Sequence, residues 1–120
     1  MTGALTREEG QPMPKGYWIA HVDFDNPREY AKYVAANTAA FAKYGAVCLA
    51  RGGRAVALEG QLRTRNVIWE FPSLQHAIDC YNSPEYQHAR SFRKDFCEGE
   101  FIALEGLDDG PVKADHFFRD

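Results

Sequence analysis

From Gly16 to Phe24 the chain reads GYWIAHVDF, and alternate positions separate into two sets. Trp18, Ala20, Val22 and Phe24 are apolar throughout, whereas Tyr17, Ile19, His21 and Asp23 are mixed. That two-residue period, with its aromatic and β-branched content, predicts a strand whose first face packs on helices. The period then changes. Asn26, Pro27 and Glu29 form a capping-box start, and Tyr30, Tyr33, Val34, Phe41 and Tyr44 recur at helical spacing as far as Gly45. A helix over Pro27–Tyr44 follows from this pattern. A second strand is expected over Ala46–Arg51. Gly52 and Gly53 then form either a two-residue hairpin turn or a kink within a strand that continues as RAVALE. A straight run from Ala46 to Glu59 would reach roughly 45 Å, too long for a domain of this size, and a bend is the preferred solution. The loop Gly60–Arg65 leads into a third strand, NVIWEF.

Pro72 ends that strand, and Ser73 is placed to cap a second helix with Leu74, Ala77, Ile78 and Tyr81 on its inner face. YNSPEYQHARSFR keeps a helical pattern yet contains Asn-Ser-Pro. Pro84 has no amide hydrogen and disfavours helical backbone at Ser83, so the helix must stop near Tyr81. A new one starts with Ser83 as cap, and Tyr81 and Tyr86 flank the corner. The second segment, Pro84–Phe96, presents Tyr86, Ala89, Phe92 and Phe96 inward. GEFIALEG closes the count as a fourth strand. A-L-E-G ends both the extended region at Ala57–Gly60 and the last strand at Ala103–Gly106, so the halves echo one another.

This order predicts an α+β fold, the ferredoxin-like β-α-β-β-α-β arrangement, with a four-stranded antiparallel sheet and both helices on one side. Apolar side chains fall on both sheet faces, among them Val47, Leu49, Trp69 and Phe71. The uncovered face is therefore an association surface, satisfied if two sheets pack as a symmetric dimer. Residues 15–107 form the domain, between an N-terminal tail over 1–14 and a C-terminal tail over 108–120. Met13 reads as an alternative start, and Phe117 and Phe118 as apolar side chains that dock on a neighbouring surface.

Composition narrows the class. With 120 residues, 45% hydrophobic and 26% charged, the chain is one globular domain. Fourteen basic against seventeen acidic residues give a net charge of −3, which argues against a nucleic-acid partner. No apolar run approaches the ~20 residues of a membrane span. Cys48, Cys80 and Cys97 are odd in number and widely spaced, which suits buried thiols in a reducing cytoplasm.

Several residues carry candidate chemistry. His21 and Asp23 share a strand face, so His21 is a candidate proton carrier with a carboxylate to orient its ring; the alternative is a hydrogen bond across the sheet or dimer interface. Arg51 and Arg54 flank the glycine pair, and Arg51 is a candidate anion fork, or else a partner for Glu59 or Glu70. Glu70, between Trp69 and Phe71, is a candidate general acid or base if it faces an apolar cavity. Asn37 lies near the apolar stripe of the first helix and requires partners. Tyr81 is a candidate ligand contact or a core aromatic. His76 with Cys80, and Glu85 with His88, are incomplete as metal sets, so neither metal nor cofactor is expected.

GYWIAHVD, YVAANTAAFAKYGA, RGGR followed by LEG, EFPS and YNSPEYQ together resemble the family named domain of unknown function 1330, within the dimeric alpha-beta barrel superfamily. The resemblance spans about Gly16 to Gly106. It implies a ferredoxin-like subunit and a homodimer whose sheets form a barrel, and no established activity. Superfamily members include cofactor-free monooxygenases, isomerases, haem enzymes and proteins without known chemistry. The expectation is a homodimer holding a small, anionic metabolite in a pocket between sheet and helices or at the barrel mouth, lined by His21, Arg51, Glu70 and Tyr81, with acid/base chemistry of isomerase, lyase or monooxygenase type. The alternative is a non-catalytic module whose polar residues only satisfy the dimer interface.

Overall fold

Four strands alternate with helices in the computed structural model, which describes residues 13–116. Residues 1–12 of the expected N-terminal tail over 1–14, and the docking role of Phe117 and Phe118, lie outside the described residues. In chain order the elements are β1 (Gly16–Phe24), α1 (Pro27–Lys43), β2 (Val47–Arg51), β3 (Arg65–Phe71), α2 (Leu74–Asn82), α3 (Pro84–Arg90) and β4 (Cys97–Glu105), then a short 3₁₀ turn over Ala114–His116. The sheet order is β2-β3-β1-β4 with every neighbouring pair antiparallel, the ferredoxin-like topology expected from the pattern.

Local chemistry sets the element ends. The Asn26 side chain accepts from the Glu29 amide at 3.2 Å, and Pro27 occupies the first turn of α1. At the other end Gly45 adopts a φ of 73°, the left-handed turn that releases the chain into β2. The Asn-Ser-Pro break is a two-way cap on one side chain. Ser83 Oγ donates to the Cys80 carbonyl at 2.7 Å, closing α2, and accepts from the Tyr86 amide at 3.0 Å, opening α3. Tyr81 and Tyr86 pack across the corner with ring centroids 5.2 Å apart. The segment after Pro84 keeps α-helical form only to Arg90 and then turns irregularly to Cys97, where β4 starts two residues before the expected Gly99.

Trp18 on β1 is the centre of the core. Its ring meets those of Phe41, Phe71, Tyr81, Tyr86 and Phe101, and its indole Nε1 donates to the Ala77 carbonyl at 2.8 Å. Gly16 is required by the approach of α2: a Cβ there would collide with the Ser73 carbonyl. Cys80 is fully buried, and burial pushes its thiol up to about 12. Cys48 is exposed on the edge strand, which corrects the expectation of three buried thiols.

Two departures matter for the site. The register of β2 on β3 slips between Cys48 and Ala50, a bulge at Leu49. Beyond β2, Gly52 turns with a φ of 67°, and the chain runs to Thr64 with neither ladder nor helix. RAVALE therefore forms no strand here. It lies within an exposed arm on which Val56 is 65% and Leu58 92% exposed.

Candidate functional site

The helix-side face of the sheet and α1 enclose a narrow cleft. Ala20 and Val22 of β1, with Val67 and Trp69 of β3, supply its sheet side, and Phe101 of β4 contributes to one end. Tyr30, Tyr33, Val34 and Asn37, at helical spacing on α1, supply the opposite wall. Arg51 and Arg65 complete the lining. The free volume inside is about 20 Å³, room for one or two waters. A larger guest must displace the arginine side chains; Arg51 is exposed and Arg65 half-buried.

The bulge explains why Arg51 is here. In an unbroken ladder Val47, Leu49 and Arg51 would share one face. Instead Val47 pairs with Glu70, while Arg51 pairs with Val67, whose side chain faces α1. One extra residue has moved Arg51 from the open face to the cleft. Gly52 then allows Arg65 to lie close by: a Cβ at Gly52 would stand 3.0 Å from Arg65 Nη1. The Arg65 guanidinium sits 5.5 Å above the Tyr30 ring.

No aspartate or glutamate lines the cleft among the described residues, and neither Arg51 nor Arg65 has an ion-pair partner there. Asn37 makes no side-chain hydrogen bond among the described residues and faces the same space. In a chain of net charge −3 this is a locally cationic pocket with aromatic walls.

Behind it lies a third cation. Arg93, 6% exposed, donates from Nη2 to the Tyr86 hydroxyl at 2.9 Å, and Tyr86 shares a 2.8 Å hydrogen bond with the Tyr33 hydroxyl. The guanidinium lies over the rings of Phe101 at 4.3 Å and Tyr33 at 5.0 Å, both of which line the cleft. Burial drives the Tyr86 hydroxyl far above its ordinary range. Burial likewise raises the Cys97 thiol, against the opposing pull of Arg93.

The other expected site residues lie elsewhere, which corrects the picture of one pocket holding His21, Arg51, Glu70 and Tyr81. His21 and Glu70 project from the open face, away from the helices, because strand alternation sets them opposite Ala20 and Trp69. His21 Nδ1 bonds to Asn66 Oδ1 at 2.8 Å, so an amide rather than a carboxylate orients the ring. Glu70 accepts from the Tyr17 hydroxyl at 3.2 Å. Tyr81 lines a separate hollow with Ala77, Ile78 and Ile102. Asp23 secures the end of the arm: Oδ1 accepts from the Thr64 amide at 2.7 Å and hydroxyl at 3.0 Å, and Oδ2 accepts from Arg63 at 2.8 Å. Those bonds, led by the Thr64 amide, hold its carboxyl below the ordinary carboxylate range.

A carboxyl with a depressed folded pKa stabilises the fold fully above the ordinary value. That contribution is lost as pH falls through the folded value. Asp23→Asn should therefore show a shallower fall in melting temperature between about pH 6 and pH 3 than the parent chain. Parallel pH profiles for the two proteins would show that the corner adds nothing.

The family model of domain of unknown function 1330 matches residues 15–107. The chain belongs to this family. Among solved structures it is similar to the RPA0582 protein of Rhodopseudomonas palustris, described as of unknown function. The methylated form of that protein is 18% identical over 95% of this chain and 98% of the other, with a TM-score of 0.64. It is also similar to SnoaB of Streptomyces nogalater, a cofactor-independent oxygenase, at 10% identity over 76% and 91% of the two chains and a TM-score of 0.56. At these identities the likeness is one of fold. No curated protein matches the sequence. This domain of unknown function 1330 protein carries its helices on one side of one sheet. Among the described residues no group of three or more His, Cys, Asp or Glu is placed to hold a metal, and no helix is long and apolar enough to cross a membrane.

Arg65, Tyr30 and Tyr33 are cleft residues that sequence reasoning missed. The signal was present: Arg65, Val67 and Trp69 continue a two-residue period once β3 is started one position earlier. Arg93 follows Tyr86 by seven residues, a helical spacing, but α3 ends at Arg90 and a turn carries it inward.

Proposed function

We propose that this protein binds a small organic anion in the cleft between α1 and the sheet. Arg51 and Arg65 take the charge, and Asn37 supplies a neutral hydrogen bond. The observation that carries the reading is the pairing of two arginines, with no ion-pair partner or lining carboxylate among the described residues, with an apolar, aromatic interior. A guanidinium fork matches a carboxylate or enolate better than a lysine would, and the apolar walls strengthen the attraction by excluding water.

In the same reading two copies pack through their open sheet faces. Ile68, Ile19 and Ile102 form a continuous row across that face. Val47, Leu49 and Leu104 add exposed apolar surface, each more than half exposed. His21 and Glu70 then belong to the interface, where Asn66 and Tyr17 already engage them, rather than to the ligand. Proton transfer by His21 or Glu70 is accordingly assigned to that interface and not to the cleft. The three free thiols support a reducing compartment such as the cytoplasm.

The test is a thermal-shift series with small aromatic and aliphatic carboxylic acids. A ligand held at 100 times its Kd stabilises the folded state by about 2.7 kcal/mol. Arg51→Ala and Arg65→Ala should each weaken binding by about 10- to 100-fold, the usual loss for a hydrogen bond to a charged group. If no acid raises the melting temperature of the parent chain, the anion site is refuted.

A further inference from the structure

Arg93 is a buried cation with no counter-ion among the described residues. It is 94% buried, no carboxylate pairs with it among the described residues, and its Nε has no hydrogen-bond partner. An isolated charge in such a place is costly unless something compensates it. Rings of Tyr33, Tyr86 and Phe101 supply part of that compensation through their faces. The rest has a direction, which hydrogen-bond accounting reveals.

A guanidinium only donates, so the Tyr86 oxygen accepts from Arg93. Tyr86 is fully buried, and its own hydroxyl hydrogen needs an acceptor. Among the described residues the oxygen within reach, apart from its own, is that of Tyr33. Tyr86 therefore donates to Tyr33, and the Tyr33 hydrogen is left over. Tyr33 is a wall of the cleft. The chain Arg93 to Tyr86 to Tyr33 is a line of donors, each polarised by the one before, that starts on a fixed positive charge.

We propose that the Tyr33 hydroxyl is the donor for the charged oxygen of a planar, conjugated oxyanion, such as a phenolate or enolate, and that Arg93 is a positioning residue acting through Tyr86. The proposal rests on the cleft being an anion site and adds the class of anion and the atom that reads it. Flatness follows from the space: with only about 20 Å³ free, a thin guest needs the least opening. The charged and titratable groups around it are Arg51 and Arg65 at the lining, Tyr30 on α1, and Arg93 with Cys97 behind. All the charged ones favour the anion.

The probe is 4-nitrophenol, whose anion is yellow, with 4-nitroanisole as the neutral control of nearly equal shape. The parent chain should enrich the yellow anion below the pH at which the free probe ionises, and should bind it at least about 10-fold more tightly than the anisole. Tyr33→Phe, which removes one oxygen, should lose that preference by about 10-fold or more and leave anisole binding unchanged. Arg93→Met should do the same while keeping its urea midpoint, since an apolar side chain of similar length replaces an unpaired charge. Should Arg93→Met fail to fold, Tyr33→Phe carries the test alone. If the parent chain and Tyr33→Phe bind the anion equally while Arg51→Ala loses it, the anion site stands and the Tyr33 assignment falls. If the parent chain binds neither probe, both fall.

Discussion

Trp18→Ala should cost about 3–5 kcal/mol, a large share of the stability of a domain this size. Trp18 is 4% exposed and touches five aromatic rings contributed by α1, α2, α3, β3 and β4. Its removal leaves a cavity between layers that are held apart by large, stiff rings, so the site collapses poorly. The Ala77 carbonyl also loses its indole donor inside the core, which adds the cost of an unmade hydrogen bond. Trp18→Phe separates these contributions, because it keeps most of the volume and loses the N–H. Urea titration of the three proteins gives the comparison. A Trp18→Ala variant within about 1 kcal/mol of the parent would show that the rings repack freely.

The same residue shows what the sequence made visible. Alternation in GYWIAHVDF placed Trp18, Ala20 and Val22 together on the helix side, and all three are buried there. The Asn26 and Ser83 caps were equally plain, because a side-chain oxygen beside Pro at a helix start has few other uses. What failed was parity. The spacing of Val47, Leu49 and Arg51 implies one face, and only a bulge at Leu49 reverses it. A bulge is an agreement between two strands, so nothing in VCLAR alone announces it. The RAVALE arm failed for a related reason: a β-rich composition does not supply a neighbouring strand, and among the described residues there is none for it. The site suffered most. His21, Glu70 and Arg51 were grouped by chemistry, whereas the sheet separates them by face, and the cation most deeply embedded, Arg93, hides within a run of aromatic positions.

Ile19→Asp should convert a dimer into a monomer, halving the mass measured by light scattering at concentrations where the parent chain remains paired. Ile19 is the middle of the Ile68–Ile19–Ile102 row, flanked in the next register by Tyr17 with Glu70 and Leu104. Polar groups of the open face flank this centre: at one end His21 bonds to Asn66 and Arg63 bridges Asp23 and Glu100, and at the other Tyr17 bonds to Glu70. An apolar centre with a polar margin is the composition of a surface that a second protein covers. An unpartnered carboxylate from each copy, buried in the apolar centre of such a patch, costs several kcal/mol, enough to shift Kd by a thousandfold or more. The helix-side cleft lies across the sheet from this substitution, so the monomer should remain folded, with an unchanged circular dichroism spectrum. Glu59→Ala, on the exposed arm, serves as the control and should leave the mass at twice that of one chain. An Ile19→Asp protein with the parent's mass at every concentration would mean that the isoleucine row faces water, and the packing of two sheets would have to be abandoned.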